Sequence, residues 1–270
     1  MGFSARAHKK GLRAGAAVVA SAVAVAATVW GVAVLAEPGG AAADRQVPGA
    51  HGADEGDRGR APRAIPEGIA HASEDGADAV NITIDDGPDP RWTPRVLDVL
   101  ARHGAKAVFC MVGPQAEAHP DLVRAVVAAG HRLCDHTMDH DTAMDRKPVP
   151  YQEQQILDAK RLIEAAAGGA EVAYYRAPGG AFTPDSRRIA AAHGMRPLGW
   201  NVDTKDFEKP GVAAIVDAVE RGTRNGPTVL LHDGGGNRSQ TVEALDRVLD
   251  RLEEQGRPTG FPVRTAPGAP

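Results

Sequence analysis

Short apolar runs alternate with amphipathic stretches from about residue 77 to the C-terminus. The apolar runs predict strands at 79–84, 107–112, a segment ending near 133, 172–175, 197–201 and 228–231, with a weak last strand near 260–264. The stretches between them predict helices at 93–103, 121–129, 151–167, 183–193, 212–221 and 241–255. Thr93-Pro94 and Thr183-Pro184 each have the residue types of an N-cap followed by a first helical proline.

This alternation of strands and helices with short connections predicts an α/β fold built on a parallel sheet. Six or seven such units fit either a barrel or a doubly wound open sheet, and periodicity does not choose between them. The sequence contains no internal repeat and no glycine-rich dinucleotide fingerprint.

The N-terminal segment has a different pattern. Residues 1–13 hold Arg6, Lys9, Lys10 and Arg13 but no acid, and residues 14–36 carry no charge. A basic region before an apolar run is typical of a secretory signal peptide. The apolar run is also long enough to span a bilayer, so an uncleaved anchor is the alternative, and we expect membrane contact only through this segment. Both interpretations place the rest of the chain outside the cytoplasm, secreted or held at the membrane or cell wall.

Composition then divides the remaining chain. Residues 37–76 are rich in Gly, Ala, Pro and Asp, which predicts a flexible linker that cannot bury a core. We therefore expect one domain at 77–265 and a disordered tail at 266–270.

The overall balance of residues is that of a globular protein, with 43% hydrophobic and 24% charged residues. Its formal charge of −4, from 31 basic and 35 acidic residues, argues against a nucleic-acid partner, because phosphate binding requires a basic surface. Loss of residues 1–36 removes four cations and leaves −8. We expect the chain to act as a monomer.

The two cysteines, Cys110 and Cys134, both lie in predicted strands that we expect to be neighbours. In an oxidising compartment they are able to form a disulfide. Two small buried thiols explain the same pattern equally well, so both alternatives stay open.

Polar clusters follow the predicted strands at five places, namely Asp85-Asp86-Gly87-Pro88, residues 135–140, Arg176-Ala177-Pro178-Gly179-Gly180, Asp203-Thr204-Lys205-Asp206 and residues 232–236. Because the carboxyl ends of parallel strands share one rim, these clusters are expected to meet in one cleft. Each cluster alone is more typical of a turn or a salt-bridged loop. Two histidines four residues apart would share one face of a helix, and with an Asp they make a three-ligand metal site with an open position for water.

Taken in order, these segments resemble a known family. The motifs are Thr83-Ile84-Asp85-Asp86-Gly87-Pro88, His136-Thr137-Met138-Asp139-His140, Arg176-Ala177-Pro178-Gly179-Gly180, Asp203-Thr204-Lys205-Asp206-Phe207 and Leu230-Leu231-His232. The chain resembles the polysaccharide deacetylases of the NodB-homology type, carbohydrate esterase family 4, from about residue 77 to about 264. The resemblance implies a single distorted, TIM-like (β/α) barrel with a metal at the C-terminal ends of its strands.

The resemblance also implies roles for individual residues. Asp86, His136 and His140 map onto the metal ligands, usually for zinc, although the same donors suit cobalt, nickel or manganese. Asp85 maps onto the general base, which Arg176 would orient and keep ionised.

The remaining positions map onto the acid and the substrate groove. His232 matches the general acid and Asp206 the carboxylate beside it, while the Gly179 N–H would stabilise the oxyanion. We expect Leu230, Phe207 and Trp200 to line the groove. Phe207 stands where the family usually has tryptophan, which predicts a shallower wall for a sugar ring.

By the same resemblance, the leading hypothesis is N-deacetylation of peptidoglycan or a chitin-like GlcNAc oligomer. The first alternative is O-deacetylation of acetylated xylan, which uses the same catalytic set. The second is a glycan-binding module without catalysis, which the full set of catalytic residue types argues against.

Overall fold

The computed structural model describes residues 64–266, which build a seven-stranded sheet and the helices that cover it. The strands are β1 Asn81–Asp85, β2 Ala107–Met111, β3 Arg132–Asp135, β4 Val172–Tyr175, β5 Arg196–Pro197, β6 Val202–Asp203 and β7 Thr228–His232. The α-helices are α1 Thr93–Arg102, α2 Gly113–Ala118, α3 Pro120–Ala128, α4 Val149–Ala166, α5 Pro184–Ala192, α6 Val212–Gly222 and α7 Ser239–Glu254.

All neighbouring strands are parallel, in the order β5-β4-β3-β2-β1-β7-β6. The sheet curls into a half-barrel with β5 and β6 at its two edges. The α/β barrel that the family resemblance implied is therefore confirmed. Since every strand runs the same way, the loops after all seven strands emerge on one rim.

Alternating residues of the strands form two apolar clusters, one on each face of the sheet. The larger includes Ile82, Ile84 and Leu231 and packs against the helices. The smaller includes Val108, Tyr174, Leu198 and the two cysteines. Cys110 and Cys134 lie opposite each other in the β2–β3 register and are joined by a disulfide, the first of the two alternatives for this pair.

The single strand predicted at 197–201 is wrong. β5 ends at Pro197 and β6 begins only at Val202, and the two strands lie at opposite edges of the sheet. Between them the chain crosses the half-barrel, where Leu198 pairs with Ala70 in an isolated bridge and Gly199 packs against the side chain of His71. These contacts come from distant parts of the chain, and they override the local β-propensity.

The two predicted caps have different outcomes. Thr183 caps α5 through a capping box with Ser186, as its sequence signature predicts. Thr93 instead lies inside α1, and its hydroxyl donates a 2.5 Å hydrogen bond to Asp233.

Helix α2 was not predicted, and the weak last strand is reduced to two isolated bridges, at Thr259 and Pro262.

The described domain begins before residue 77. Ala70 is buried, its N–H donates to Pro197 O at 2.8 Å, and its carbonyl accepts from Gly199 N–H at 2.9 Å. Residues 64–76, which composition assigned to a linker, thus pack on the sheet. The predicted signal or anchor, the rest of the linker and residues 267–270 lie outside the described residues. Within 64–266, no helix has both the length and the apolarity to cross a membrane.

Candidate active site

A cavity of about 470 Å³ opens on the rim at the C-terminal ends of the strands. Ten of the residues to which the sequence assigned a role line it: Asp85, Asp86, His136, His140, Arg176, Gly179, Trp200, Phe207, Leu230 and His232. Asp206 lies behind His232 and does not line the cavity. The five motifs therefore meet in one place.

Asp86, His136 and His140 each present one ligand atom within 4.8 Å of the others. The Oδ1 atom of Asp86 is buried without a hydrogen-bond partner among the described residues, and it lies 3.6 Å from His136 Nε2 and 3.2 Å from His140 Nε2. A buried carboxylate oxygen left in this way fits a cation.

His136 is prepared to be a neutral ligand. Its Nδ1 lies 2.8 Å from the backbone oxygen of Arg176, which leaves Nε2 facing Asp86. Burial lowers the pKa of His136 to about 3, so the imidazole is uncharged near pH 7. A neutral imidazole whose second nitrogen bonds a carbonyl is the usual form of a metal-binding histidine.

The two histidines do not share a helix face, in contrast to the interpretation of their spacing. They lie in the loop after β3, where Thr137 and His140 have φ values of 69° and 50°. The buried Asp135 accepts a 2.7 Å hydrogen bond from the Thr137 N–H, which fixes the left-handed turn. The turn, rather than helical periodicity, brings the imidazoles together.

Asp85 ends β1 and is 2% exposed. Arg176 Nη1 donates to its Oδ1 at 2.6 Å, while His136 Nε2 lies 3.5 Å from its Oδ2. Burial raises the pKa of Asp85, and the charge and hydrogen bond of Arg176 pull it part of the way back. A buried carboxylate held between a guanidinium and the Asp–His–His cluster has the surroundings that a general base needs.

His232 ends β7, and its Nδ1 lies 2.7 Å from Asp206 Oδ1. Asp206 also accepts from the His232 backbone N–H at 3.0 Å and from the Thr241 hydroxyl at 2.7 Å. Burial alone would lower the pKa of His232, but the hydrogen bond and charge of Asp206 outweigh it, and the net pKa is raised above 6.5. The paired imidazole therefore stays protonated to higher pH than a free one.

Aromatic side chains form the cavity walls. Phe207 is 40% exposed, and its ring meets the His232 ring edge-on with centroids 5.2 Å apart. Trp200 also lines a second cavity of about 350 Å³, together with Ile69 and Phe182. Gly179 and Trp200 border both cavities, and Ile69 and His71 line only the second.

The loops after β1 and β7 interlock through two glycines. A Cβ on Gly87 would lie 2.2 Å from Asp233 Oδ1, and one on Gly234 would lie 2.2 Å from the backbone oxygen of Asp86. The Thr93 hydroxyl bonds the same Asp233. Each glycine thus permits a close approach that holds the Asp86 loop in place.

Six further residues line the cavity without a role assigned from sequence: Thr142, Ala177, Asp203, Lys205, Gly235 and Arg238. Asp203 and Lys205 belong to a quoted motif, so their position was predictable although their role was not. Arg238 follows the glycine run after His232. Its positive charge in a loop at the C-terminal rim of the strands is the sequence signal by which it could have been found.

Comparisons with known proteins identify the family of this chain. The family model for polysaccharide deacetylase matches residues 72–198. A chitooligosaccharide deacetylase of Sinorhizobium fredii is 41% identical over 204 residues, covering 71% of this chain and 92% of the relative. A peptidoglycan-N-acetylglucosamine deacetylase of Bacillus cereus is 40% identical over 179 residues, covering 66% and 83%.

Solved structures show the same similarity. The peptidoglycan N-acetylglucosamine deacetylase Bc1960, solved with a hydroxamate ligand, is 26% identical with a TM-score of 0.66 and covers 72% of this chain and 89% of its own. The family 4 carbohydrate esterase from Streptomyces lividans, solved with acetate, is 30% identical with a TM-score of 0.62 and covers 70% and 98%. A pseudoenzyme from Bacillus anthracis is 29% identical with a TM-score of 0.63 and covers 68% and 63%.

Proposed function

Because the chain belongs to the polysaccharide deacetylases of carbohydrate esterase family 4, we propose that it removes N-acetyl groups from GlcNAc- or MurNAc-containing glycans with the help of a bound divalent metal. The chain is a hydrolase that acts on glycan acetyl groups; the metal dependence and the N-acetyl preference are the proposal. The observation that carries it is one cavity in which an Asp–His–His cluster adjoins the Asp85–Arg176 and His232–Asp206 pairs.

Asp86, His136 and His140 would hold the metal, for which zinc is our first choice and cobalt, nickel or manganese are the alternatives. When bound, the metal would activate water and polarise the acetyl carbonyl. The unpartnered Oδ1 of Asp86 and the neutral His136 support this assignment.

Asp85 would accept a proton from the attacking water, with its carboxylate held by Arg176. The Gly179 backbone, exposed at the cavity edge with φ 60°, would present its N–H to the developing oxyanion. His232, held protonated by Asp206, would donate a proton to the leaving nitrogen. Leu230 and Phe207 would flank the acetyl group and the sugar ring, respectively.

The substrate assignment is tested by acetate release from peptidoglycan, chitooligosaccharides and acetylated xylan in parallel. We expect release from the N-acetylated glycans, loss of activity after chelation, and recovery when zinc is added. Release from acetylated xylan alone would favour the O-deacetylase alternative. Activity that is unaffected by chelation would contradict the metal assignment.

We further propose that the domain works outside the cytoplasm, delivered by residues 1–36. The buried Cys110–Cys134 disulfide supports this, because such bonds persist in oxidising compartments. Mass spectrometry of the mature N-terminus would separate a cleaved signal peptide from an anchor, and an intact chain found in the cytosol would contradict both.

A further inference from the structure

Arg238 precedes α7 and is 3% exposed, yet it lines the catalytic cavity. Its Nε donates a 2.6 Å hydrogen bond to the carbonyl of Gly234. The other basic residues of the cavity are paired, Arg176 with Asp85 at 2.6 Å and Lys205 with Asp203 at 2.8 Å. Among the described residues, Arg238 has no ion-pair partner within 4.0 Å.

The guanidinium lies beside the proposed metal cluster. A Cβ placed on Gly235 would be 3.1 Å from Arg238 Nη2 and 3.3 Å from Asp86 Oδ2. The guanidinium and the carboxylate of a proposed metal ligand therefore both lie close to the same point beside Gly235. A group bound by Arg238 would sit next to the acetyl group undergoing hydrolysis.

A largely buried guanidinium with no ion-pair partner within 4.0 Å gains from a bound counter-charge, because that charge replaces part of the hydration lost on burial. The bond from Nε to Gly234 holds the loop, but it leaves the terminal nitrogens without a partner among the described residues. A planar pair of N–H donors facing a cavity matches a carboxylate better than any neutral sugar hydroxyl.

We propose that Arg238 binds a carboxylate that the glycan carries next to the acetamido group. The inference rests on the proposed function and narrows its substrate class. In muramic acid the lactyl ether is attached to the ring carbon adjacent to the one bearing the acetamide, so its carboxylate lies close to the acetamido group. A carboxylate of an attached peptide stem is the other source of the same chemistry. Chitin-like glycans carry neither.

The experiment compares four substrates: a MurNAc-containing oligosaccharide with a free lactyl carboxylate, its simple amide, its peptide-bearing form and a neutral chitooligosaccharide. We expect the wild type to prefer the free acid to the amide, with a preference that falls as salt is added. Arg238→Gln should lower kcat/KM for the free acid about 10- to 100-fold, the range of one charge-assisted pair, and change the amide and the neutral oligomer less than about 3-fold.

The matched control is Arg247→Gln, which removes an exposed arginine from α7 and should alter none of the four rates. A peptide-bearing substrate that is preferred and depends on Arg238 would place the carboxylate on the stem. Equal losses on all four substrates would show that Arg238 only supports the loop, and equal wild-type rates on acid and amide would also overturn the inference. No acetate release from any glycan would instead contradict the proposed function itself.

Discussion

At the scale of single residues, the two proposed proton carriers, Asp85 and His232, are each buried beside a partner of opposite charge. Asp85 is paired with Arg176, whose guanidinium also bonds Thr83 and the carbonyls of Leu198 and Gly199. Because Arg176 is held in this way, it fixes the orientation of the Asp85 carboxylate. His232 is fixed in the same way by Asp206. Removing either carboxylate should affect chemistry more than shape, because an isosteric amide fills the same space.

Asp85→Asn tests the proposed base. We expect kcat/KM for acetate release to fall about 10²- to 10⁴-fold, because the amide does not accept a proton. Zinc binding, measured by competition with a chromogenic chelator, should persist, since Asp85 is not one of the three proposed ligands. Asp121→Asn, at an exposed position on α3, is the control. An Asp85→Asn enzyme with normal turnover would refute the mechanism.

Asp206→Asn tests the proposed acid through its pH dependence. In the wild type the raised pKa of His232 keeps the imidazole protonated above 6.5, and activity should decline as pH rises through that pKa. Without the Asp206 charge, burial lowers the pKa of His232, so the declining limb of the kcat/KM profile should move to lower pH. The exposed Glu243→Gln should leave the limb in place. An unmoved limb in Asp206→Asn would assign it to another group.

At the scale of elements, the site depends on close packing between the loop after β1 and the loop after β7. The loop after β1 and the loop after β7 each place a glycine against an aspartate of the other. Since Asp86 itself has φ 74°, its conformation is set by this packing rather than by its own preference.

Gly87→Ala should destabilise this pair of loops. The added methyl group would overlap the buried Asp233 carboxylate, so we expect the free energy of unfolding to fall by about 1–3 kcal/mol and the zinc affinity to weaken. Urea unfolding and chelator competition measure the two effects. Gly68→Ala, where the nearest atom would be 3.9 Å from the new Cβ, is the control. Equal stability of both variants would show that the loops adjust freely.

Local signals explain which elements were predictable. Thr183-Pro184 carries its own cap, and the motifs follow strands that are apolar by themselves, so the sequence predicted that they would converge. The split of 197–201 depends on Ala70, more than 120 residues away in the chain. The turn that joins His136 to His140 depends on the buried Asp135, and four-residue spacing alone favoured a helix instead. Long-range packing was the information that periodicity lacked.

At the scale of the whole molecule, the folded unit extends beyond the segment that the family model matches. Ala70 and Glu74 form backbone hydrogen bonds with Pro197, Gly199 and Phe261, and the His71 carbonyl accepts from Thr228. Residues 70–74 thus connect the crossing segment to the last residues of the domain.

A chain starting at residue 77 should therefore be less stable than one starting at residue 64. The lost contacts include the four hydrogen bonds named above, at about 1 kcal/mol each, together with the buried Ala70. Urea midpoints of the two chains measure the difference. Coincident unfolding curves would mean that residues 64–76 contribute nothing to the fold and restore the boundary predicted from composition.

Arg176 joins parts of the core and also holds the proposed base, and this double position has a consequence for how the family evolves. It is completely buried and joins β1 to the crossing segment, and its carbonyl also orients His136. A lineage that abandons catalysis can replace His232 and still leave the buried Asp206 two hydrogen-bond donors, the backbone N–H of residue 232 and the Thr241 hydroxyl. It cannot discard Arg176 so easily, because an uncompensated Asp85 would remain in the interior. Inactive descendants of such an enzyme should therefore still carry this arginine long after the acid has drifted.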